Sequence, residues 1–177
     1  MQQTTAIRKR SLGRTLRHLW LDEADTHKAI PPDLVERLAH RVAASEKRHS
    51  GEIRIYAEAG LPISYLWRGA SPRERAVVMF GKLRVWDTEH NNGVLIYLLL
   101  AEQAIEIVAD RGLNRHVGAH EWRRIAGSMS AAFKAGRFED GLTQALEEVS
   151  ALLAQYFPLA QGEARPNELP DEPVLGA

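Results

Sequence analysis

The sequence predicts an α/β fold with a strand hairpin at its centre and helices on both faces. Three observations carry this. Val94 to Ala101 is an uninterrupted apolar run of strand length, as expected of a central strand covered from two sides. It returns through Ala104-Ile105-Glu106-Ile107-Val108-Ala109-Asp110, a partner strand that alternates only weakly. Amphipathic helical patterns lie before and after the pair, supplying the layers such a strand needs.

The 177 residues fit one domain, and 45% hydrophobic with 26% charged residues is an ordinary globular balance. A formal net charge of zero provides no global basic field, so nucleic acid is not an expected partner. The absence of cysteine removes disulfides, thiolate zinc sites and a cysteine nucleophile together, so any metal must be held by oxygen or imidazole. The longest apolar run is far short of the roughly 20 residues that span a bilayer. Arg8, Lys9, Arg10, Arg14 and Arg17 lack the following apolar run of a secretory signal, and the chain reads as not exported, hence cytoplasmic.

Residues 1–29 form a basic segment ending in a short amphipathic pattern, with Leu12, Leu16, Leu19 and Trp20 at helical spacing. Two readings apply: a helix folded onto the domain's own surface, or a helix that meets a partner or an anionic membrane through residues 1–20. Pro31-Pro32-Asp33 starts a helix running to about Arg48, with Asp33 and Glu36 placed as a capping box and Leu34, Leu38 and Val42 on one face. Glu52 to Ala59 alternates strictly, with Glu52, Arg54, Tyr56 and Glu58 on the polar side, and is expected to be a strand with one polar face or an edge strand. Gly60 to Ala70 reads as a loop. Ser71-Pro72-Arg73-Glu74 is the clearest helix start, combining an N-cap serine, a first-turn proline and a glutamate that reaches back; Ala76, Val77, Phe80 and Leu83 are expected to face the core.

After the polar loop Asp87 to Gly93 and the hairpin come two more helices. His120 to Ala135 carries the stripe Trp122, Ile125, Ala126, Met129 and Phe133; Phe138 to Phe157 carries Leu142, Leu146, Val149, Leu153 and Tyr156, with Gly136 as the cap between them. Residues 30–157 make the domain. Residues 158–177, proline-rich and without periodicity, are expected to be disordered.

The segment Asn91-Asn92-Gly93-Val94-Leu95, the hairpin, the return into Gly112-Leu113, and Phe133-Lys134-Ala135-Gly136-Arg137-Phe138 between the closing helices together resemble the TPM domain family. The likeness covers roughly Ile30 to Phe157. It implies a three-layer α/β/α sandwich around a small mixed β-sheet. It also implies a choice of activities, because family members include acid phosphatases, binders of divalent cations and accessory factors of membrane complexes. Where relatives carry a Gly-Tyr-Gly-Leu-Glu-like run, this chain has Asp110-Arg111-Gly112-Leu113-Asn114.

The polar residues at the strand ends are the candidate site. In an antiparallel hairpin the start of one strand lies beside the end of the next, so Asn92 and Asp110 should be neighbours. With Asp87 and Glu89 they offer oxygen ligands suited to calcium or magnesium. The plainer reading has Asn91 and Asn92 forming the turn, Asp87 ending a helix and Asp110 pairing with Arg111 or Arg115. A catalytic version would use the cation to polarise a phosphoryl oxygen and activate water, with Arg111 meeting the phosphate. His116 and His120 are four apart, but Gly118 interrupts them and the glutamate of a zinc-protease helix is missing. Tyr65 and Trp67 are a candidate partner surface. The expected function is a non-enzymatic accessory domain that acts through a protein partner or at the cytoplasmic membrane face, with a cation-dependent phosphohydrolase as the alternative.

Overall fold

A computed structural model describes residues 12–160 and 166–176. Arg8, Lys9 and Arg10 of the basic segment lie outside the described residues. Strand β1 (Ile53–Glu58) pairs in parallel with β2 (Val94–Leu99), from Ile53 opposite Val94 to Glu58 opposite Leu99. β2 turns through a short 3-10 segment and Gln103, whose φ is 49°, into antiparallel β3 (Ala104–Ala109). The mixed sheet is completed by β4 (Val174–Gly176), parallel to β1, in the order β3-β2-β1-β4. The predicted α/β sandwich around a mixed sheet with a hairpin is therefore the fold.

Helices α1 (Leu12–Trp20) and α2 (Glu23–Ala29) precede α3 (Pro32–Glu46). Short α4 (Ile63–Trp67) and α5 (Pro72–Lys82) lie between β1 and β2. α6 (Arg111–Asn114), α7 (Ala119–Lys134) and α8 (Phe138–Tyr156) follow β3. On one face of the sheet, Ile53, Ile55, Val94, Ile96 and Leu98 meet Leu38 and Val42 of α3, Ile125, Met129 and Phe133 of α7, and Leu142, Val149 and Leu153 of α8. On the other, Tyr56, Leu95, Tyr97, Leu99 and Val108 meet Leu61, Leu66, Ala76, Met79 and Leu169. The two closing helices thus share a face with α3, and the second face is closed by α4, α5 and the C-terminal segment. No helix among the described residues is long and apolar enough to cross a membrane.

Several local expectations are corrected. α3 has Pro31 at its N-cap with no side-chain cap; Asp33 instead accepts from Arg37 at 2.7 Å, one turn on. The segment expected as a loop contains α4, started by Pro62. The capping box of α5 forms as expected, but Arg75, Ala76 and Met79 are its buried residues while Val77 is turned out. Gly136 has a φ of 72°, the left-handed cap predicted for it.

β1 explains the larger corrections. It is an interior strand, and all four residues of its polar row are buried. Glu58 receives four donors: Arg75 Nε at 2.8 Å and Nη2 at 2.7 Å, Tyr97 Oη at 2.6 Å and Tyr56 Oη at 3.1 Å. A buried carboxylate paired with a guanidinium in fork geometry and capped by two phenols has its polar demand met. Burial and the Glu58 carboxylate push the Tyr56 phenol up to about 12 and Tyr97 further still, so both stay protonated and donate.

The other half of this row captures the C-terminal segment. Glu52 accepts from the backbone N–H of Glu168 at 3.1 Å and Leu169 at 3.3 Å. Arg54 donates to the carbonyls of Pro170 and, at 3.0 Å, Glu172. The expectation of a disordered tail is corrected for residues 166–176: an irregular stretch without periodicity is held by side chains of β1 and then pairs with it as β4. Residues 161–165 and 177 lie outside the described residues.

α1 docks by its polar side. Arg14 donates to Glu102 Oε1 at 2.6 and 2.9 Å and to the Ala70 carbonyl at 2.7 Å. His18, buried, contacts Glu102 at 3.0 Å through Nε2 and accepts from Leu61 N–H at Nδ1, 3.0 Å. Burial pushes the Glu102 carboxyl up, but its hydrogen bonds to His18 and Arg14 outweigh this and leave it below its ordinary value of 4.5.

Three outcomes follow from these contacts. Glu58→Gln should strip the buried Arg75 of its counter-charge and lower unfolding free energy by about 3–5 kcal/mol in urea titration, whereas Glu58→Leu combined with Arg75→Met should cost distinctly less. Truncation after Ala160 leaves Glu52 and Arg54 without their backbone partners, at about 1–3 kcal/mol per unsatisfied group, and should lower the thermal midpoint by several degrees. Because the folded Glu102 pKa is depressed, its contribution is complete above the unfolded value and is lost as pH falls through the folded one; proteolysis within α1 should accelerate in that acid window and not at neutral pH.

Candidate functional site

Parallel pairing puts the starts of β1 and β2 at one end of the sheet, and the antiparallel turn brings the end of β3 to the same place. Asn92 meets Ser50 there, and Asp110 joins the neighbouring Gly93 through its backbone. The Asp110 N–H donates to the Gly93 carbonyl at 2.9 Å, locking the two strand ends together. Asp110 Oδ1 accepts from Arg111 N–H at 2.6 Å and caps α6. Asn92 donates from its backbone to Thr88 Oγ1 at 3.1 Å and from Nδ2 to Ser50 Oγ at 3.2 Å.

Each residue leaves one oxygen over. Asp110 Oδ2 and Asn92 Oδ1 are buried and have no hydrogen-bond partner among the described residues, in residues more than nine-tenths buried. A buried acceptor without a donor costs about 1–3 kcal/mol, so each needs a physical reason. The surrounding backbone is drawn tight: a Cβ at Gly93 would run into the Val85 carbonyl, and one at Gly112 into the carbonyls of His90 and Asn91. Asn91 takes the left-handed conformation expected of it, with φ 52°.

The other predicted residues take different places. Asp87 is exposed and ion-paired with Arg84. Glu89 is exposed, and its N–H donates to Glu168 Oε2 at 2.9 Å, tying the loop to the C-terminal segment. Among the described residues, no three carboxylate or imidazole side chains stand together as a metal-holding group. Of the four expected ligands, Asn92 and Asp110 lie on adjoining strand ends, whereas Asp87 and the Glu89 backbone turn to other partners. An amide oxygen and a carboxylate oxygen, both hard and both lacking a donor, fit calcium or magnesium in kind, with backbone carbonyls and water to complete a shell.

Arg111 donates from Nε to Asn91 Oδ1 at 2.9 Å, so the phosphate candidate steadies the loop. Asn114 donates to the Ala109 carbonyl at 2.6 Å and accepts from Trp122 Nε1 at 2.9 Å, knitting the end of β3 to α7. His116 stacks on Tyr156 with ring centroids 4.8 Å apart. In the aromatic patch, Leu66 is buried, Tyr65 lies under the guanidinium groups of Arg68 and Arg75 at 4.4 and 5.1 Å, and Trp67 is 69% exposed.

Ser50 and Glu102 were not singled out from the sequence. Ser50 sits 42 residues from Asn92, and only the parallel pairing of β1 with β2 makes them neighbours. Glu102 looks like an ordinary turn residue until α1 lands on it.

Known proteins agree with this architecture. The family model for the TPM domain matches residues 24–152. The fold is similar to the NMR structure of the BA42 protein from the psychrophilic bacterium Bizionia argentinensis, with TM-score 0.69 and 27% identity over 85% of this chain and 94% of that one. It is also similar to the N-terminal domain of a protein from P. gingivalis, with TM-score 0.58 and 17% identity over 72% and 79% of the two chains. Comparison with curated proteins finds no match. The matched segment runs from α2 to the last turns of α8 and includes the whole hairpin with its mouth, and on that evidence the chain belongs to the TPM domain family.

Proposed function

We propose that this TPM domain is a binding module, not a hydrolase, and that it takes a divalent cation, calcium or magnesium, at the corner formed by Asn92 and Asp110. The observation that carries the reading is that Asn92 Oδ1 and Asp110 Oδ2, on adjoining strand ends, are each buried and without a hydrogen-bond partner among the described residues. A hard cation would meet both demands at once, and its charge would join the ends of β2 and β3 across the mouth of the hairpin. With one carboxylate in the set, affinity belongs at the weak end of calcium sites, around 10⁻⁴–10⁻³ M. The non-enzymatic part rests on Arg111, whose Nε donates to Asn91 Oδ1 and so gives the side chain a place in the loop.

Thermal unfolding with calcium or magnesium at several times that concentration should raise the midpoint by a few degrees, the gain expected from ligand binding to the folded state alone. Asp110→Asn should abolish the rise. Asparagine caps a helix as well as aspartate does, so this variant retains the α6 cap while removing the charge, and its metal-free midpoint should stay near that of the parent. An unchanged midpoint in the parent protein removes the cation reading. Turnover of a phosphate monoester that requires the cation and vanishes in Asp110→Asn would replace the binding module with a phosphohydrolase.

A further inference from the structure

The orientation of α1 is the reverse of what its sequence favours. A surface helix ordinarily buries its apolar stripe and leaves its basic residues to water. Here Arg14 and His18, one turn apart, are the residues seated on the domain, with Arg17 reaching the Ala101 carbonyl at 3.5 Å beside them. Gly60 packs directly against the His18 backbone. Leu16, Leu19 and Trp20 point away, the leucines more than half exposed and Trp20 83% exposed. Helix geometry requires this: residues 16, 19 and 20 lie opposite residues 14, 17 and 18 on a 100° wheel.

The outward stripe has a neighbour. The chain around α4 is tied to α1 at both ends, by Leu61 N–H to His18 and by the Ala70 carbonyl to Arg14. Between those ties α4 buries Leu66 and exposes Ile63 and Trp67. Two exposed tryptophans and three aliphatic side chains therefore occupy adjoining short helices.

Charge selects the occupant. Residues 1–21 carry five arginines and lysines and no acidic residue, in a chain whose net charge is zero. Arg8, Lys9 and Arg10 directly precede the helix in sequence. We propose that α1, with Ile63 and Trp67 of α4 beside it, is a membrane-surface helix that lays Leu16, Leu19 and Trp20 into the headgroup boundary of an anionic bilayer. Tryptophan is suited to that boundary, and the basic residues that precede α1 in sequence add attraction to anionic headgroups. A second copy of the chain fits less well, because a self-complementary contact through α1 would set two acid-free basic segments at one interface. The docking is independent of the cation corner, which lies at the opposite end of β1: α1 bonds Leu61, beyond the β1 C-terminus, whereas Ser50 precedes its start.

The test is co-sedimentation of the full chain with phosphatidylcholine vesicles with and without phosphatidylserine, alongside tryptophan emission. The expected result is binding that requires phosphatidylserine, weakens as salt is raised and moves the emission to shorter wavelength. Trp20→Glu and Leu19→Glu, both at exposed positions, should each reduce the vesicle partition coefficient about tenfold. Val77→Glu, at an exposed apolar position on α5, should leave it unchanged. Absence of binding, equal binding to vesicles lacking phosphatidylserine, or full binding by Trp20→Glu overturns the proposal. So does a lipid-free dimer that Trp20→Glu dissolves, which would assign the stripe to a second copy.

Discussion

The row of polar side chains on β1 governs the rest of the molecule, because it places charge inside a sheet sandwich where no water is available to solvate it. Glu52, Arg54 and Glu58 each need partners beyond those the strand itself supplies. Glu58 finds Arg75 on α5 and the two tyrosines, which sets the rotation of α5 about its axis and turns Val77 outward. Glu52 and Arg54 find the backbone of the C-terminal segment, which then has a strand edge to join. An apolar row in the same place would have packed against any helix; this one accepts only donors and acceptors at particular positions. The second layer of the sandwich is specified by polar complementarity where the first is specified by apolar area.

The same pairing of β1 with β2 that buries this row also assembles the hairpin mouth. Two parallel strands begin at one level, and the antiparallel return of β3 ends there, so Ser50, Asn92 and Asp110 come from three separate stretches of chain. Short backbone approaches at Gly93 and Gly112 leave no room for a side chain at either position. At the other end of β1, the polar face of α1 is consumed in docking, and its apolar residues Leu16, Leu19 and Trp20 are left exposed.

Much of this was legible in the chain. Continuous apolar character marked β2 as central, the Ser71 capping box and the Gly136 cap marked helix ends, and the order of segments around the hairpin carried the family resemblance. The neighbourhood of Asn92 and Asp110 followed from strand direction alone. The gathering of Asp87 and Glu89 with them did not follow, because loop residues close in sequence are free to turn toward other partners. Asp87 pairs with Arg84 within its own turn, and the Glu89 backbone is drawn to Glu168, far along the chain.

Local patterns therefore determined the elements of this protein and the family it belongs to, since periodicity, capping and turn chemistry act over a few residues and are written where they act. Tertiary structure alone decided that the polar row of β1 lies inside, that an aperiodic tail becomes β4, that α5 turns Arg75 inward and that α1 docks upside down. Each of these depends on a charged or polar group meeting a partner that is distant in sequence. Alternation along a strand or helix tells which residues share a face. It does not tell whether that face meets water, a guanidinium or another stretch of the chain, and in this chain that difference separates the scaffold from its candidate sites.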